Sequence, residues 1–394
     1  MPNPLNQPIT YLAETVGRSA PKSFGIYQPD RLFHTFILGQ TGTGKSTLIL
    51  NMIRQDIEQE RGFCLIDPHG DLAEAVKPML QENVVYWDVA DPDCPYGYNP
   101  LGYVAEENRS LVVSAIIDAL RQQWRDAWGV RMQHLLRFSI LALISRPGSS
   151  FADIVPMFTN KAFRRTVLQS VTNEEVLKFW KEEFPKLNYK TAFDGVAPIA
   201  NKLGAFLSNP VVKKVLCSPS HNLRFRSLLD DGTPLVVNLS KGKLGSDISS
   251  VLGGLILSMM TSAAFTRGDT PEHQRKQYSI YVDEFASMTT GTIASMLSEL
   301  RKYRVGLVLA AQYTSAIKDR ILDAIFGNVG TIIVFRIGAK DAPVMARQLG
   351  WSNPADLLNL PNYRIFIKLM IGGFQSKAFT ACSLSSRQLL SLLR

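Results

Sequence analysis

The chain has 394 residues, 46% hydrophobic and 20% charged, so it is long and apolar enough to fill a core and is not intrinsically disordered. Its four cysteines form no CxxC pair, which argues against a zinc site or a disulfide framework and favours a reducing compartment. The net charge is +9, and residues 104–226 alone carry 18 Lys/Arg against 10 Asp/Glu, a net +8.

Both ends of the chain read as alternating strands and helices. Apolar, β-rich runs predict strands at 34–39, 62–67, 83–90, 234–240, 278–285, 305–311, 330–338 and 363–371. Helical patterns separate several of these runs, which is typical of a mainly parallel sheet covered by helices on both faces. We therefore expect an α/β fold at both ends.

The middle of the chain has helical spacing instead. Apolar residues recur at helical intervals in the segments 109–124, 129–145, 174–184 and 195–208. We expect an all-α domain at 104–226, inserted into an α/β domain formed by 1–103 and 227–394. Its basic excess favours a polyanionic partner such as nucleic acid, although a solvated helical surface of basic composition is the simpler alternative.

Neither a membrane span nor a signal peptide is predicted. No apolar run reaches the roughly 18 residues of a spanning helix, and the nearest, 251–265, is interrupted by Gly, Ser and Thr. The first ten residues lack the charged start and apolar stretch of a signal peptide. We expect a cytoplasmic protein without an integral membrane segment, able to act peripherally at the inner face of the membrane.

The segment FILGQTGTGKST follows the first predicted strand and has the GxxxxGK[ST] spacing of a phosphate-binding loop. Its glycines allow backbone N–H groups to turn towards a phosphate, and the N-terminus of the next helix adds partial positive charge. The lysine reaches the β- and γ-phosphates, and the Ser46 hydroxyl suits Mg²⁺. The residues expected to bind ATP are Gly39, Gln40, Thr41, Gly42, Thr43, Gly44, Lys45, Ser46 and Thr47.

Two predicted strands end in acidic residues. SIYVDEF ends with Asp283, which suits the Mg²⁺ shell, and Glu284, which suits polarisation of the attacking water. GFCLIDPHGD places Asp67 and His69 at a turn near the same edge of the sheet. Asp67 either supports the nucleotide site or caps the turn that follows it.

The stretch SELRKYRVGLVLAAQ, residues 298–312, has three cations before a buried strand and one glutamine after it. On a helix over 293–304, Lys302 faces solvent, Arg304 lies near the terminal carbonyls and Arg301 projects sideways. Compensation of the helix dipole is sufficient reason for such cations. Gln312 ends the strand beside Asp283, where an amide can sense a γ-phosphate.

The order of the motifs GQTGTGKST, DPHGD, YVDEF, LRKYRVGLVLAAQ and GNVGTIIVFR resembles the HerA/FtsK superfamily of RecA-like DNA motors. Within it, the chain is most similar to the type IV secretion coupling proteins (TraG/TraD-like conjugation ATPases), which carry an all-α domain where the helical insertion falls. This resemblance implies a RecA-like P-loop NTPase fold, a homo-hexameric ring with ATP and Mg²⁺ between subunits, and DNA in the central channel.

The resemblance also implies roles at the subunit interface. Gln312 matches the sensor, and Arg301 matches the arginine finger that acts on a neighbouring subunit's nucleotide, with Glu284 and Lys45 as the other catalytic residues. Arg336, in VFRIG, is a second candidate for an interface arginine.

In such a ring, the basic insertion would meet the phosphate backbone of DNA. The residues expected to contact it are Lys161, Arg164, Arg165, Lys213, Lys214, Lys241 and Lys243, the last two in a loop that faces the channel. None belongs to a base-reading pattern, so we expect binding of single- or double-stranded DNA without sequence specificity and with strong salt dependence.

The functional prediction is an ATP-hydrolysing, ring-forming DNA translocase or pump of the coupling-protein type, with a relaxase or other secretion proteins as partners. Two alternatives stay open: a secretion-machine assembly ATPase that acts on protein partners, and a HerA-type DNA-end processing motor. Two features depart from coupling proteins, because no transmembrane helix precedes the phosphate loop and the chain ends in SRQLLSLLR rather than an acidic tail.

Overall fold

The computed structural model describes residues 8–17, 20–102, 104–186, 189–217, 219–288 and 293–393. These residues form two units, each with its own internal contacts. The first contains Met1–Tyr86, Arg226–Asn238 and Arg267–Arg394, and the second contains Trp87–Phe225 and Leu239–Thr266. The domain boundary predicted at residue 103 lies outside the described residues.

The strands alternate with helices along the chain, and most of them belong to the first unit, whereas the short strands Tyr96–Gly97 and His221–Asn222 belong to the second. In chain order they are β1 (Ile9–Thr15), β2 (Ser23–Tyr27), β3 (Thr35–Leu38), β4 (Gly62–Asp67), β5 (Val85–Asp88), β6 (Tyr96–Gly97), β7 (His221–Asn222), β8 (Leu235–Asn238), β9 (Tyr278–Val282), β10 (Val305–Ala311), β11 (Thr331–Val334), β12 (Arg364–Lys368), β13 (Met370–Ile371), β14 (Phe374–Gln375) and β15 (Phe379–Ser383).

One large sheet has the strand order β2-β1-β15-β12-β11-β3-β10-β9-β4-β8-β5. The segment from β11 to β8 is parallel throughout, whereas β12, β15, β1 and β2 extend it in antiparallel fashion. β3, at the start of the phosphate loop, lies between β10 and β11. The carboxyl ends of the parallel strands therefore meet at one edge of the sheet.

All eight predicted strands are present, and the mainly parallel sheet is confirmed. Every residue of β3, β9 and β10 is buried, as expected for strands that are covered on both faces. The antiparallel strands β1, β2 and β15 were missed. Their residues are only partly buried, so they lack the continuous apolar run that marked the central strands.

The helices are distributed over both units. They are α1 (Lys45–Glu58), α2 (Asp71–Val76), α3 (Arg109–Gln123), α4 (Val130–Leu143), α5 (Ile154–Thr159), α6 (Lys161–Leu168), α7 (Glu174–Lys178), α8 (Tyr189–Leu207), α9 (Pro210–Cys217), α10 (Phe225–Asp231), α11 (Lys241–Leu244), α12 (Ser246–Thr266), α13 (Ile293–Glu299), α14 (Asp319–Asn328), α15 (Ala342–Leu349), α16 (Ala355–Leu358) and α17 (Ser386–Leu393).

Helix α1 fixes the phosphate loop to the sheet. Its apolar residues recur every three or four positions, and burying each one stabilises the fold by roughly 1.5 to 3 kcal/mol. The helix ends before Glu60, whose φ of 50° is left-handed and cannot continue it. The residues that pack into the core of the first unit are Leu48, Ile49, Met52, Ile53 and Ile57.

The second unit is helical, and α3 packs against both α4 and α12. Its core contains an aromatic cluster in which the Phe138 and Phe179 rings stack with centroids 4.2 Å apart. Trp180 lies against Phe179 with ring centroids 5.1 Å apart. The helical spacing predicted for the middle of the chain is therefore present in α3, α4, α7 and α8.

Helix α12 corrects one expectation from the sequence. The segment Ser246–Asp269 is long and apolar enough to cross a membrane by length and composition, because Gly, Ser and Thr lower its hydropathy only slightly. However, 78% of its apolar window is buried inside the protein, which is the pattern of a core helix. Burial in the fold, rather than exposure to lipid, accounts for its composition.

Candidate phosphate and metal site

The phosphate loop joins β3 to α1 through two glycines with positive φ. Gly42 has a φ of 76° and Gly44 a φ of 120°, values that side-chain-bearing residues rarely adopt. Between them, the Thr43 hydroxyl donates a 2.7 Å hydrogen bond to the Gln40 carbonyl, which closes the loop. The loop therefore has the tight backbone turn that the GxxxxGK[ST] pattern predicted.

Lys45 is buried at the first position of α1. Its Nζ donates hydrogen bonds to the Gly39 carbonyl at 2.5 Å and to the Gln40 carbonyl at 3.0 Å. Burial lowers the pKa of Lys45, while the carboxylates of Asp283 and Glu284 oppose that shift. The ammonium is thus held in the loop by groups that an anionic ligand can replace.

The end of β9 provides the acidic part of the site. The Asp283 carboxylate is 8% exposed and accepts a 3.0 Å hydrogen bond from the backbone N–H of Glu284. Burial, reinforced by the negative charge of Asp67, raises the pKa of Asp283 to about 6. A cation in this position would relieve the cost of keeping the carboxylate ionised.

Glu284 adopts a left-handed backbone conformation with a φ of 44°, which turns it out of the strand. Its carboxylate accepts a hydrogen bond from the Gln312 side-chain amide. The other carboxylate oxygen lies 2.5 Å from Nε2 of His69. Three elements that are distant in sequence therefore converge on one carboxylate.

Asp67 caps the turn that follows β4, which is one of the two roles that the sequence left open. Its two carboxylate oxygens accept backbone N–H groups of His69 and Ala73, each at 2.9 Å, so it caps the turn that leads into α2. That turn carries the His69 ring to Glu284. Its charge also raises the pKa of Asp283.

These groups surround a cavity of about 370 Å³ above the carboxyl ends of the strands. Its wall includes the phosphate loop, both acidic strand ends, Gln312 and Tyr363. No arginine of the described chain lines it. Tyr363 was missed from the sequence because it precedes an ordinary apolar strand and belongs to no recognisable motif.

Arg301 lies at the other end of the sheet from this cavity. The α-helix predicted over 293–304 ends at Glu299, and Leu300–Tyr303 forms a tighter 3-10 turn, which changes the directions of its side chains. Arg301 precedes β10 and Gln312 follows it, and seven strand residues span about 23 Å. Arg301 is exposed, with its guanidinium carbon 3.7 Å from the centroid of the Phe33 ring.

Arg336, in contrast, lies beside the phosphate loop. Its Nε is 3.4 Å from the Gln40 side-chain oxygen, and its NH1 donates to the Leu360 carbonyl at 3.2 Å. Both contacts are within the chain and lie close to the phosphate loop.

The predicted DNA-contacting residues belong to the second unit, and some of their side chains already form hydrogen bonds within the chain. Arg164 donates to the Met157 and Phe158 carbonyls at the end of α5. Lys214 donates to the Pro92 and Cys94 carbonyls. The expected loop with Lys241 and Lys243 is instead the short helix α11. Exposed side chains remain at Lys161, Arg165, Lys213 and Lys243.

The fold is similar to that of several solved structures, among them two of a plasmid coupling protein and one of VirB4. The bacterial conjugative coupling protein TrwBΔN70, unbound, has a TM-score of 0.66 at 16% identity, over 92% of this chain and 86% of that chain. The plasmid coupling protein TrwB in complex with ADP and Mg²⁺ has a TM-score of 0.63 at 16% sequence identity, over 96% of this chain and 96% of that chain. VirB4 of Thermoanaerobacter pseudethanolicus has a TM-score of 0.64 at 12% sequence identity, over 98% of this chain and 99% of that chain. No curated protein sequence matches the chain significantly.

Fold and site together define a RecA-like P-loop NTPase, with a mainly parallel central sheet and a helical insertion between the phosphate loop and the acidic strand β9. The family described as the central domain of the helicase HerA matches residues 32–240, more than half of the chain. The chain belongs to that family.

Proposed function

We propose that this protein is an ATP-hydrolysing motor that forms a ring and translocates DNA, resembling the coupling proteins of conjugative transfer. The observation that carries the proposal is the extent of the likeness to TrwB, named as a plasmid coupling protein, over 96% of both chains. That extent includes the helical insertion as well as the sheet.

The residues of the cavity fit ATP with Mg²⁺. The loop backbone turns inward at two glycines, and Lys45 is buried beside it without a carboxylate in hydrogen-bond contact. Among the described residues, no group of three or more His, Cys, Asp or Glu side chains forms a metal cage. This suits Mg²⁺, which commonly takes one or two protein ligands together with substrate phosphates.

In the proposed site, Ser46 and Asp283 would hold Mg²⁺, which would supply positive charge to neutralise the phosphates. Glu284 accepts a proton from the attacking water, because its carboxylate is partly exposed at the cavity wall. Gln312 senses the γ-phosphate, since its amide already contacts Glu284 and would exchange partners when a phosphate oxygen is near. His69 orients the second oxygen of Glu284.

Arg301 completes the site from a neighbouring subunit. The cavity has no arginine of its own among the described residues, and Arg301 lies at the opposite end of the sheet, out of reach within one chain. An arginine supplied in trans would neutralise charge that develops on the transferred phosphoryl group. This arrangement requires a ring, which we propose to be a homo-hexamer. Arg336 remains a second proposed interface arginine.

Four exposed cations would contact the DNA backbone: Lys161, Arg165 and Lys213 in the insertion, and Lys243 in α11. Arg164, Lys214 and Lys241 were expected to do the same, but the first two already satisfy backbone carbonyls. Contacts of this kind are insensitive to sequence and weaken steeply as salt rises. We propose that the protein acts in the cytoplasm or at the inner face of the membrane, with a relaxase or another secretion protein as partner.

ATP turnover of the purified protein, with and without single- and double-stranded DNA at low and moderate salt, tests this function. Particle size is measured in parallel, with and without ATP. The proposal predicts DNA-stimulated turnover by a ring and no turnover by the Lys45→Ala variant. Turnover that no DNA stimulates at any salt concentration would contradict it.

The family match favours a second candidate, a HerA-type motor that processes DNA ends. Preference for double-stranded ends and dependence on a nuclease would support it over conjugative transfer. Turnover that depends on a protein substrate, and not on DNA, would instead support a secretion-machine assembly ATPase.

A further inference from the structure

Tyr363 presents an exposed aromatic ring to the phosphate cavity. The side chain is 46% exposed and forms part of the cavity wall together with Gly44 and Thr47. No step assigned above to Lys45, Asp283, Glu284 or Gln312 uses this ring.

The backbone of Tyr363 is fixed to the phosphate loop. Its N–H donates a 2.8 Å hydrogen bond to the Thr43 carbonyl, and its own carbonyl accepts one of 2.8 Å from the N–H of Ser383. The backbone at Tyr363 is therefore tied to the loop on one side and to β15 on the other. These two bonds fix where the side chain begins relative to the loop.

The ring lies directly against Gly44. A Cβ added to this glycine would come within 2.8 Å of Cδ1 and 3.3 Å of Cε1 of Tyr363. Glycine at this position thus does more than permit the loop turn, because it also leaves the space that the ring occupies. The loop and the tyrosine are built to fit each other.

Tyr363 also holds an unfavourable backbone conformation. Its φ is 66°, in the left-handed region where a bulky residue is uncommon. Among the described residues, six non-glycine positions have positive φ, and the two that line the cavity are Glu284 and Tyr363. Strained conformations of this kind tend to occur at functional sites, where the surrounding structure enforces them.

We infer that the Tyr363 ring is the surface on which the base of the bound nucleotide stacks. This inference depends on the proposed nucleotide site and adds to it the recognition of the part of the ligand that the phosphate loop does not touch. Aromatic stacking accepts any base, because every base has a π-face. The site would therefore take nucleoside phosphates in general and bind them more tightly than inorganic phosphates of equal chain length.

The test compares ligands with and without a base on the full chain. The Tyr363→Gly variant removes the ring and suits the positive φ, so it is expected to fold, whereas Tyr363→Phe keeps the stacking face. Calorimetric titration with MgADP and with magnesium pyrophosphate separates the base from the phosphates. Loss of stacking on one base weakens binding roughly 5- to 150-fold.

We expect Tyr363→Gly to weaken MgADP binding by that factor and to leave pyrophosphate binding within twofold, with Tyr363→Phe close to wild type for both. Phe374→Ala, which removes an exposed aromatic side chain outside the cavity, is the matched control and should change neither. Equal losses for both ligands would mean that Tyr363 only shapes the loop, and unchanged MgADP binding would also overturn the inference.

The same titrations distinguish failure of the nucleotide site itself. If the wild type bound neither ligand, or if Lys45→Ala bound both as tightly as the wild type, the proposed nucleotide function would fail and this inference with it. If Lys45→Ala lost binding while Tyr363→Gly did not, only the stacking role would be wrong.

Discussion

Helix α1 and strand β9 meet in two polar clusters that differ in how their charges are compensated. In the buried cluster, Arg31 donates to both oxygens of Asp56, at 2.6 and 2.8 Å, and to the Tyr281 hydroxyl at 2.5 Å. The Tyr281 hydroxyl in turn donates to Asp56. Burial alone would lower the pKa of Arg31, but Asp56 and Tyr281 outweigh it and raise the pKa.

The cavity cluster is formed at the ends of the same two elements. Asp283 lies two residues after Tyr281, at the end of β9, and Lys45 is the first residue of α1. Here Lys45 bonds to backbone carbonyls, and burial lowers its pKa. Asp283 has no arginine partner in the part of the chain that the structure describes, and burial with the charge of Asp67 raises its pKa to about 6. One cluster is compensated within the chain, and the other keeps charges that a ligand can satisfy.

This difference distinguishes charged residues that stabilise the fold from charged residues that are available to bind a ligand. A buried ion pair with several hydrogen bonds between its partners holds two elements together, whereas an incompletely compensated site favours binding of an opposite charge. Asp56 pairs with two arginines of the same chain, Arg31 and Arg61. The cavity has none among the described residues, which is why we assign its arginine to a neighbouring subunit.

The largest effect is expected for that missing arginine. Arg301→Ala should lower ATP turnover by roughly 10³- to 10⁵-fold, because charge on the transferred phosphoryl group would lose its neutralising partner. Lys302→Ala, which removes an exposed cation from the next position, should have little effect.

Mixing subunits tests whether Arg301 acts in trans. Arg301→Ala subunits keep Glu284, and Glu284→Gln subunits keep Arg301, so mixed rings contain some complete sites. Partial recovery of turnover is expected from the mixture, because each variant alone has lost most of its turnover. Rings that form but recover nothing would show that Arg301 does not act across the interface.

Glu284→Gln should lower turnover by roughly 10²- to 10⁴-fold, the range for loss of a general base. The amide keeps the size of the side chain, so nucleotide binding should persist. Single-turnover hydrolysis and MgADP titration measure the two separately. If binding falls as much as turnover, Glu284 is holding the ligand rather than activating water.

In the buried cluster, Asp56→Asn should lower the free energy of unfolding by about 3 to 5 kcal/mol, because it leaves the Arg31 charge without its partner. Urea denaturation provides the measurement. Glu58→Ala, on the exposed side of the same helix, is the control and should change stability by less than about 0.5 kcal/mol. A loss as small as the control's would mean that the cluster is not structural.

Asp283→Asn should have the opposite effect on stability, in protein free of nucleotide and metal. Because the folded-state pKa of Asp283 is about 6 against an ordinary 3.8, ionisation opposes folding progressively as the pH rises through that interval. The variant should therefore be more stable by up to about 3 kcal/mol near pH 8 and equal to the wild type near pH 4. Thermal unfolding at both pH values checks the sign, and greater stability only at low pH would contradict it.

The amino-acid sequence was sufficient for the features that depend on local pattern. The central strands are buried on both faces, so each appears as an unbroken apolar run, and the phosphate loop must have glycine, lysine and serine at set spacing. The acidic pair after β9 and the glutamine after β10 could be located because parallel strands end at the same edge. The antiparallel strands β1, β2 and β15 lacked such a signal.

What the tertiary structure decided was how residues distant in sequence meet. His69, Glu284 and Gln312 come from three strands, and only their packing order brings the three side chains together. Tyr363 reaches the phosphate loop through a backbone bond to Thr43 that no local pattern encodes. The spacing of residues in a segment determines which chemical groups that segment presents. The pairing of the strands determines which of these groups share a site, because it is stabilised by the burial of many side chains that are distant in sequence.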